Sequence, residues 1–250
     1  MQAYLFEFMD LPWLAQSLRL TLRDILECVC SRPLRPYYDW VARRVLATLR
    51  EGDTVVELAA GTAPIARHLA RMKLPDRVRL IVADLNPDHK IYEELSRRHP
   101  GVIEPETEPV DLMVERDWGQ NATIVLSAAF HHIPFEKRGE ALGALSRSAG
   151  RVMIFEPLRH QFASPLLVLT TLIPSLLLPL WYLGRRAGSV RRFLWCWLVP
   201  IAPLIFWWEG IISCLRCWSE RTWRKHLGAI APDDRTPVVE HTLFSTYVSW

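Results

Sequence analysis

Val55-Val56-Glu57-Leu58-Ala59-Ala60-Gly61-Thr62-Ala63-Pro64-Ile65-Ala66 runs from apolar residues through an acid into small residues around one glycine, and then into a helical pattern. That order reads as strand, tight loop and helix N-terminus, a place to hold a small anionic or zwitterionic group. About twenty residues on, Leu80-Ile81-Val82-Ala83-Asp84-Leu85-Asn86-Pro87 reads as the next parallel strand, its Asp84 standing where open α/β sheets place an acid against ribose hydroxyls. Two such elements in this order point to a nucleoside-containing cofactor.

The loop narrows the choice. A dinucleotide site opens its G-x-G-x-x-G directly after the strand so that backbone approaches a pyrophosphate. Here Glu57 closes the strand and Gly61 is the one glycine, among Ala59, Ala60 and Ala63. The pattern resembles motif I of the class I S-adenosylmethionine-dependent methyltransferases, an acid followed by G-x-G-x-G, with Ala59 and Ala63 replacing two glycines. Alanine leaves room for a close ligand but resists positive φ. The resemblance implies that Glu57, Ala59, Gly61, Thr62 and Ala63 surround S-adenosylmethionine, with Asp84 and Leu85 beside them.

The resemblance extends along the chain. Glu108-Pro109-Val110-Asp111-Leu112 looks like the third strand with its terminal acid, which places Asp111 and Leu112 near the adenine. The run from Ala122 to Pro134 looks like the fourth strand, with Ser127 near the cofactor and a His131-His132-Ile133-Pro134 exit. Arg151 to Pro157 looks like the fifth strand, and Phe135 to Ala149 has a helical pattern between the two. Pro237 to Trp250, with Val238, Val239, Leu243, Phe244 and Tyr247, matches the antiparallel last strands of that family, after a helix from Ser219 to Leu227. The match covers residues 40 to 158 and the tail. The expected fold is a Rossmann-like, doubly wound, mostly parallel α/β sheet of the class I methyltransferase type, carrying an inserted hydrophobic helical hairpin.

Composition fits this reading and locates the insertion. The chain has 250 residues, half of them hydrophobic, with eleven tryptophans and a formal charge of +3. Its arginines form no long basic face interleaved with aromatics, so nucleic acid is not an expected partner. Met1 to Asp10 carries Glu7 and Asp10 and lacks the layout of a signal peptide, so the cofactor domain is expected in the cytoplasm. Cys28 and Cys30 form C-x-C, and Cys214 and Cys217 form C-x-x-C. A four-thiolate zinc site is conceivable, but no glycine knuckle or nearby histidine accompanies them, and they read as small apolar residues with no metal expected.

Phe162 to Leu183 holds no charged residue and as a helix is about 33 Å long, enough for a hydrocarbon core of about 30 Å. A second run, Phe193 to Trp208, has Trp195, Trp197, Trp207 and Trp208 at its ends, as at a membrane interface. Membrane lipids are therefore an expected partner. Between the runs lie Arg185, Arg186, Arg191 and Arg192, while Arg159, His160 and Arg216 flank them. Full crossing would export the four arginines against the positive-inside tendency. A re-entrant hairpin, broken at Pro174, Pro179, Pro200 and Pro203, avoids that conflict, and a soluble lid is the third geometry. The expected organisation is an N-terminal amphipathic helix and link (1–38), a methyltransferase domain (39–158 and 217–250) and a membrane-associated hairpin (159–216).

Leu11, Trp13, Leu14, Leu18, Leu22, Ile25 and Leu26 recur at helical spacing opposite Arg19, Arg23, Asp24 and Glu27, a helix that either lies on lipid or packs on protein. Ser31 to Tyr38 reads as a proline-broken link into a helix from Asp39 to Leu49. In enzymes of the resembled family the residues before motif I close over the cofactor, which makes Arg35, Tyr37 and Tyr38 candidates for its carboxylate.

The reaction that the resemblance implies is in-line displacement at a sulfonium methyl, in which the protein chiefly aligns the acceptor. A base is needed only where the acceptor loses a proton. His131 and His132, at the strand exit, and Glu156, at the end of the fifth strand, are the candidates. Glu209 and Arg216, in a stretch resembling a pocket-lining segment of some of these enzymes, are candidates for substrate contact. The expected acceptor is a lipophilic small molecule, methylated at oxygen. A non-catalytic membrane adaptor and a nicotinamide-dependent oxidoreductase stay as alternatives. No G-x-S-x-G elbow supports a hydrolase, and the sequence leaves the oligomeric state open.

Overall fold

The computed structural model describes residues 6–11, 13–161, 163–181, 188–230, 236–242 and 245–250. Met1 to Leu5, Phe162, Tyr182 and Leu183, Arg185 and Arg186, and Leu243 and Phe244, all named above or within ranges above, lie outside the described residues. The helices are α1 (Gln16–Ser31), α2 (Arg35–Leu46), α3 (Pro64–Leu69), α4 (His89–Arg98), α5 (Arg138–Ser148), α6 (Ala163–Leu169), α7 (Leu172–Trp181), α8 (Ser189–Phe193), α9 (Ile201–Arg216) and α10 (Glu220–Ile230). The chain divides into a helical unit, Met1–Arg35 with His160–Cys217, and a sheet unit, Pro36–Arg159 with Trp218–Trp250. The N-terminal helix thus shares a unit with the insertion.

The sheet unit holds β1 (Thr54–Leu58), β2 (Arg79–Ala83), β3 (Ile103–Pro105), β4 (Ala122–Ser127), β5 (Arg151–Glu156), β6 (Val238–His241) and β7 (Thr246–Ser249). Their order is β3-β2-β1-β4-β5-β7-β6, with β1 to β5 parallel and β7 antiparallel to both β5 and β6. Every residue of β1 is buried, as are five of six in β4 and β5. Strands covered on both faces read as continuous Val/Ile/Leu runs, which is why these strands stood out in the sequence. Chain order reverses across β1 and β4, so the crevice beyond their carboxyl ends is a topological switch point, where open sheets bind ligands.

Two expectations are corrected here. The third strand is Ile103–Pro105 and not Glu108 to Leu112. Ile103 is buried and pairs with Leu80, whereas Pro109 has no N–H to give a ladder. The chain after β3 instead turns back along the sheet's carboxyl end, with Val110 N donating to Asp84 O at 2.9 Å. The second correction concerns α2, which starts at Arg35 and not Asp39, leaving only Arg32 to Leu34 as the link. Pro36 lies in the first helical turn, where a missing N–H removes no helical hydrogen bond.

In the helical unit, Leu18, Leu22, Ile25 and Val29 form one face of α1 and pack with Leu178 of α7, Cys196, and Ala202 and Ile205 of α9. The α6–α7 arm breaks at Thr170 and Thr171, because Pro174 cannot donate to the carbonyl four residues back. By length and composition Ser164–Trp181, 18 residues or about 27 Å, is a candidate membrane span. The second arm bends by 75° between Ser189–Leu198 and Ile201–Arg216, at Val199 and Pro200. Its segment Leu194–Leu198 is a π-helical turn. All five cysteines are buried, and burial pushes the Cys28 thiol up to about 11.

Candidate cofactor and methyl-transfer site

The β1–α3 loop turns on three left-handed residues, Ala59 (φ +50°), Gly61 (φ +54°) and Ala63 (φ +53°). Two of these are alanines, each holding a conformation that costs an L-residue roughly 1–2 kcal/mol. The neighbours hold the loop in place. Gly61 N donates to Asp84 Oδ2 at 2.9 Å, Ala60 N to Ala83 O at 3.1 Å, and Ala63 N to Ala60 O at 2.7 Å. Glu57, 2% exposed, accepts Ile65 N at 3.0 Å on one oxygen and Ala66 N at 2.7 Å on the other. It thereby satisfies orphan donors in the first turn of α3. Burial raises its pKa to about 7, against the lowering effect of these two bonds. Both Glu57 oxygens are engaged by the chain's own backbone, so the side chain shapes the loop from beneath.

The other carboxyl-end residues surround this loop. Asp84 Oδ1 accepts Asn86 N at 2.8 Å, and Leu85 beside it is 53% exposed. Asp111 is exposed on the loop after β3, where its side chain accepts Met113 N at 2.9 Å, while Leu112 packs on the core. Thr62 is buried in the β1–α3 loop. At the end of β4, Ser127 Oγ is buried with no hydrogen-bond partner among the described residues. A Cβ added at Gly61 would meet nothing within 4 Å, so the loop faces open space there. Tyr38 is buried in the first turn of α2, its ring 6.0 Å from that of His68. Arg35 is exposed and falls in the other unit.

Beyond β4, Phe130–His132 forms a 3-10 turn. His131 is buried; its Nδ1 lies 2.7 Å from Glu156 Oε2 and its backbone N donates to Glu156 Oε1 at 3.3 Å. A carboxylate only accepts, so it fixes the proton on Nδ1 and leaves Nε2 as the ring's acceptor. His132 is exposed, with its ring 4.4 Å from that of His131. Glu209 and Arg216 are buried on α9 in the helical unit. Glu209 accepts Met9 N at 2.7 Å, and Arg216 pairs with Glu7 at 3.3 Å.

Two residues not singled out in the sequence belong to this site. Arg138, fully buried at the start of α5, donates Nε to Ile133 O and Nη2 to His131 O, both at 2.8 Å. Its guanidinium lies 4.0 Å above the Phe135 ring. A cation in the first turn of a helix opposes the macrodipole, and that conflict was the available signal. Tyr92 of α4 is buried with its hydroxyl unpartnered among the described residues, and burial together with the charges of Asp84 and Glu57 raises its pKa.

No protein-family model and no curated protein matches the chain. Among solved structures, the chain is similar to an O-methyltransferase family protein from Burkholderia thailandensis, with TM-score 0.54 and 13% identity over 93% of this chain and 56% of that one. A small RNA methyltransferase is similar at TM-score 0.54 and 10% identity, over 87% of this chain and 25% of that one. A protein from Bordetella parapertussis described as a possible exported protein aligns at TM-score 0.55 and 14% identity, over 86% of this chain and 67% of that one. The chain thus spans only part of each neighbour's length. The fold is that of the class I methyltransferases.

Proposed function

We propose that the sheet unit binds S-adenosylmethionine at the carboxyl ends of β1, β2 and β4 and transfers its methyl group to the oxygen of a lipophilic small molecule. The observation that carries this is the loop from Ala59 to Ala63, which takes the left-handed turns of a glycine-rich cofactor loop although two of its three positions are alanine. The open space at Gly61 and the Ser127 hydroxyl, unpartnered among the described residues, fit a ligand there. In this reading Asp84 receives the ribose hydroxyls, and Leu85, Asp111 and Leu112 flank the base. Glu57 acts through the loop that it shapes. Tyr38 remains the candidate for the carboxylate.

Bound there, S-adenosylmethionine supplies a methyl group already activated on a sulfonium. The chain's own residues orient the acceptor and receive its proton. His131 takes the hydroxyl proton on Nε2, and Glu156, on Nδ1, holds the ring in the required tautomer and stabilises the imidazolium. The buried setting of this pair limits access of bulk water. A lipophilic acceptor agrees with the exposed apolar side chains of α6 and α7.

The test uses S-adenosylmethionine tritiated at the methyl group, with a panel of phenolic and carboxylic lipophilic acceptors in detergent micelles. Radiolabel is expected in the organic extract as an oxygen-methylated product, with a loss of about 100-fold in His131→Asn. Label in no acceptor, or an undiminished rate in the variant, contradicts the transfer or the base respectively.

A further inference from the structure

The helical unit carries an apolar face that its own core leaves uncovered, including Leu166, Ile173 and Leu180 on the first arm and Leu198 and Leu204 about the bend. Between the arms, Leu183 to Phe193 contains four arginines and no acid. Two of them are tied back to α1. Arg192 Nε donates to Asp24 Oδ2 at 2.8 Å, and Arg191 Nη2 donates to the same oxygen. Trp195 Nε1 donates to Ser17 Oγ at 3.2 Å, one more tie between the second arm and α1.

These ties constrain how the helical unit can meet a bilayer. α1 packs against α7 and α9 along its length and carries Arg19, Arg23, Asp24 and Glu27 within three turns. If the α6–α7 arm crossed a bilayer, α1 and its four ionisable side chains would be drawn into the hydrocarbon, where such groups are rare and costly. If the arm instead dips into one leaflet, the charged stretch of α1 and the Arg191 and Arg192 tied to it stay at headgroup level, and the 75° bend with its flanking prolines returns the chain. Arg19, Arg23, Arg191 and Arg192 against Asp24 and Glu27 leave a net positive charge there, which suits an anionic headgroup layer.

We infer that the helical unit is a monotopic anchor for an anionic lipid leaflet, its hairpin entering and leaving on one side with Arg191 and Arg192 held there by Asp24. This rests on the reading of the insertion as lipid-embedded.

The experiment adds full-length protein from detergent to preformed vesicles of phosphatidylcholine with or without phosphatidylglycerol, followed by flotation. A Val190→Cys variant, at a position 79% exposed, is treated with a membrane-impermeant maleimide before and after vesicle lysis, with the wild-type chain setting the background from its buried cysteines. The expected result is flotation, full labelling before lysis, and binding about five-fold or more tighter to the anionic vesicles. Labelling only after lysis overturns the monotopic geometry, and equal binding to both vesicles overturns the anionic preference. Failure to float, with self-association in its place, assigns the face to a second copy and overturns the anchor. S-adenosylhomocysteine binding by the same preparation separates any of these failures from failure of the methyltransferase reading.

Discussion

Ala59 and Ala63 carry the strain of the β1–α3 loop, and that makes their substitution informative. Glycine normally costs about 0.5–1 kcal/mol relative to alanine, but at positive φ alanine itself bears about 1–2 kcal/mol. Ala59→Gly and Ala63→Gly are therefore expected to leave the chain unchanged or about 1 kcal/mol more stable in urea denaturation. Ala66→Gly, inside α3, should cost about 1 kcal/mol by the same measurement. Glu57 adds a pH dependence. Its folded pKa of about 7 lies above the ordinary 4.5, so the folded chain holds this proton more tightly than the unfolded chain. Its contribution is fully present below pH 4.5 and is lost as pH rises to 7, by up to about 3 kcal/mol. The stability difference between wild type and Glu57→Gln should shrink in that direction across this window, and a constant difference would count against the assignment. The loop's residues were legible in the sequence because small side chains around a glycine mark a tight turn. Their φ angles were not, because an alanine in a left-handed turn has the same letter as one in a helix.

At the level of elements, the turn after β4 and the anchor of α8 each depend on one buried or half-buried charge. Arg138 satisfies two carbonyls of the His131 turn while its guanidinium stacks on Phe135. Arg138→Lys, which loses the planar two-donor geometry, is expected to destabilise the chain by about 2–3 kcal/mol in thermal unfolding. Asp24→Asn should cost about 2 kcal/mol or more, because it leaves two guanidinium groups facing an amide; an unchanged unfolding midpoint would show that the pair is not structural. Strands β1, β2, β4 and β5 were readable because long apolar runs admit few other meanings. β3 was not, since three residues ending in Pro105 give too short a pattern, and the neighbouring Val110-Asp111-Leu112 imitated a strand end. The start of α2 was hidden because Pro33 and Pro36 look alike in sequence, although one lies between helices and the other opens one.

On the scale of the whole molecule, the sheet unit holds the loop, the acids at the strand ends and the His131–Glu156 pair, while the helical unit holds the apolar surface. Asp84 bears on both the loop and its proposed ligand. Asp84→Ala removes the acceptor for Gly61 N as well as the proposed ribose contact, and should weaken S-adenosylhomocysteine binding at least about ten-fold. The division into units was only partly legible. The insertion announced itself by the absence of charge from Phe162 to Leu183, but nothing in the α1 sequence says which apolar surface its buried face meets. The most direct test of the central claim is isothermal titration of the detergent-purified protein with S-adenosylhomocysteine, alongside the nicotinamide dinucleotides. The account predicts micromolar binding of S-adenosylhomocysteine alone. Its absence, or selective binding of a dinucleotide, would contradict the account.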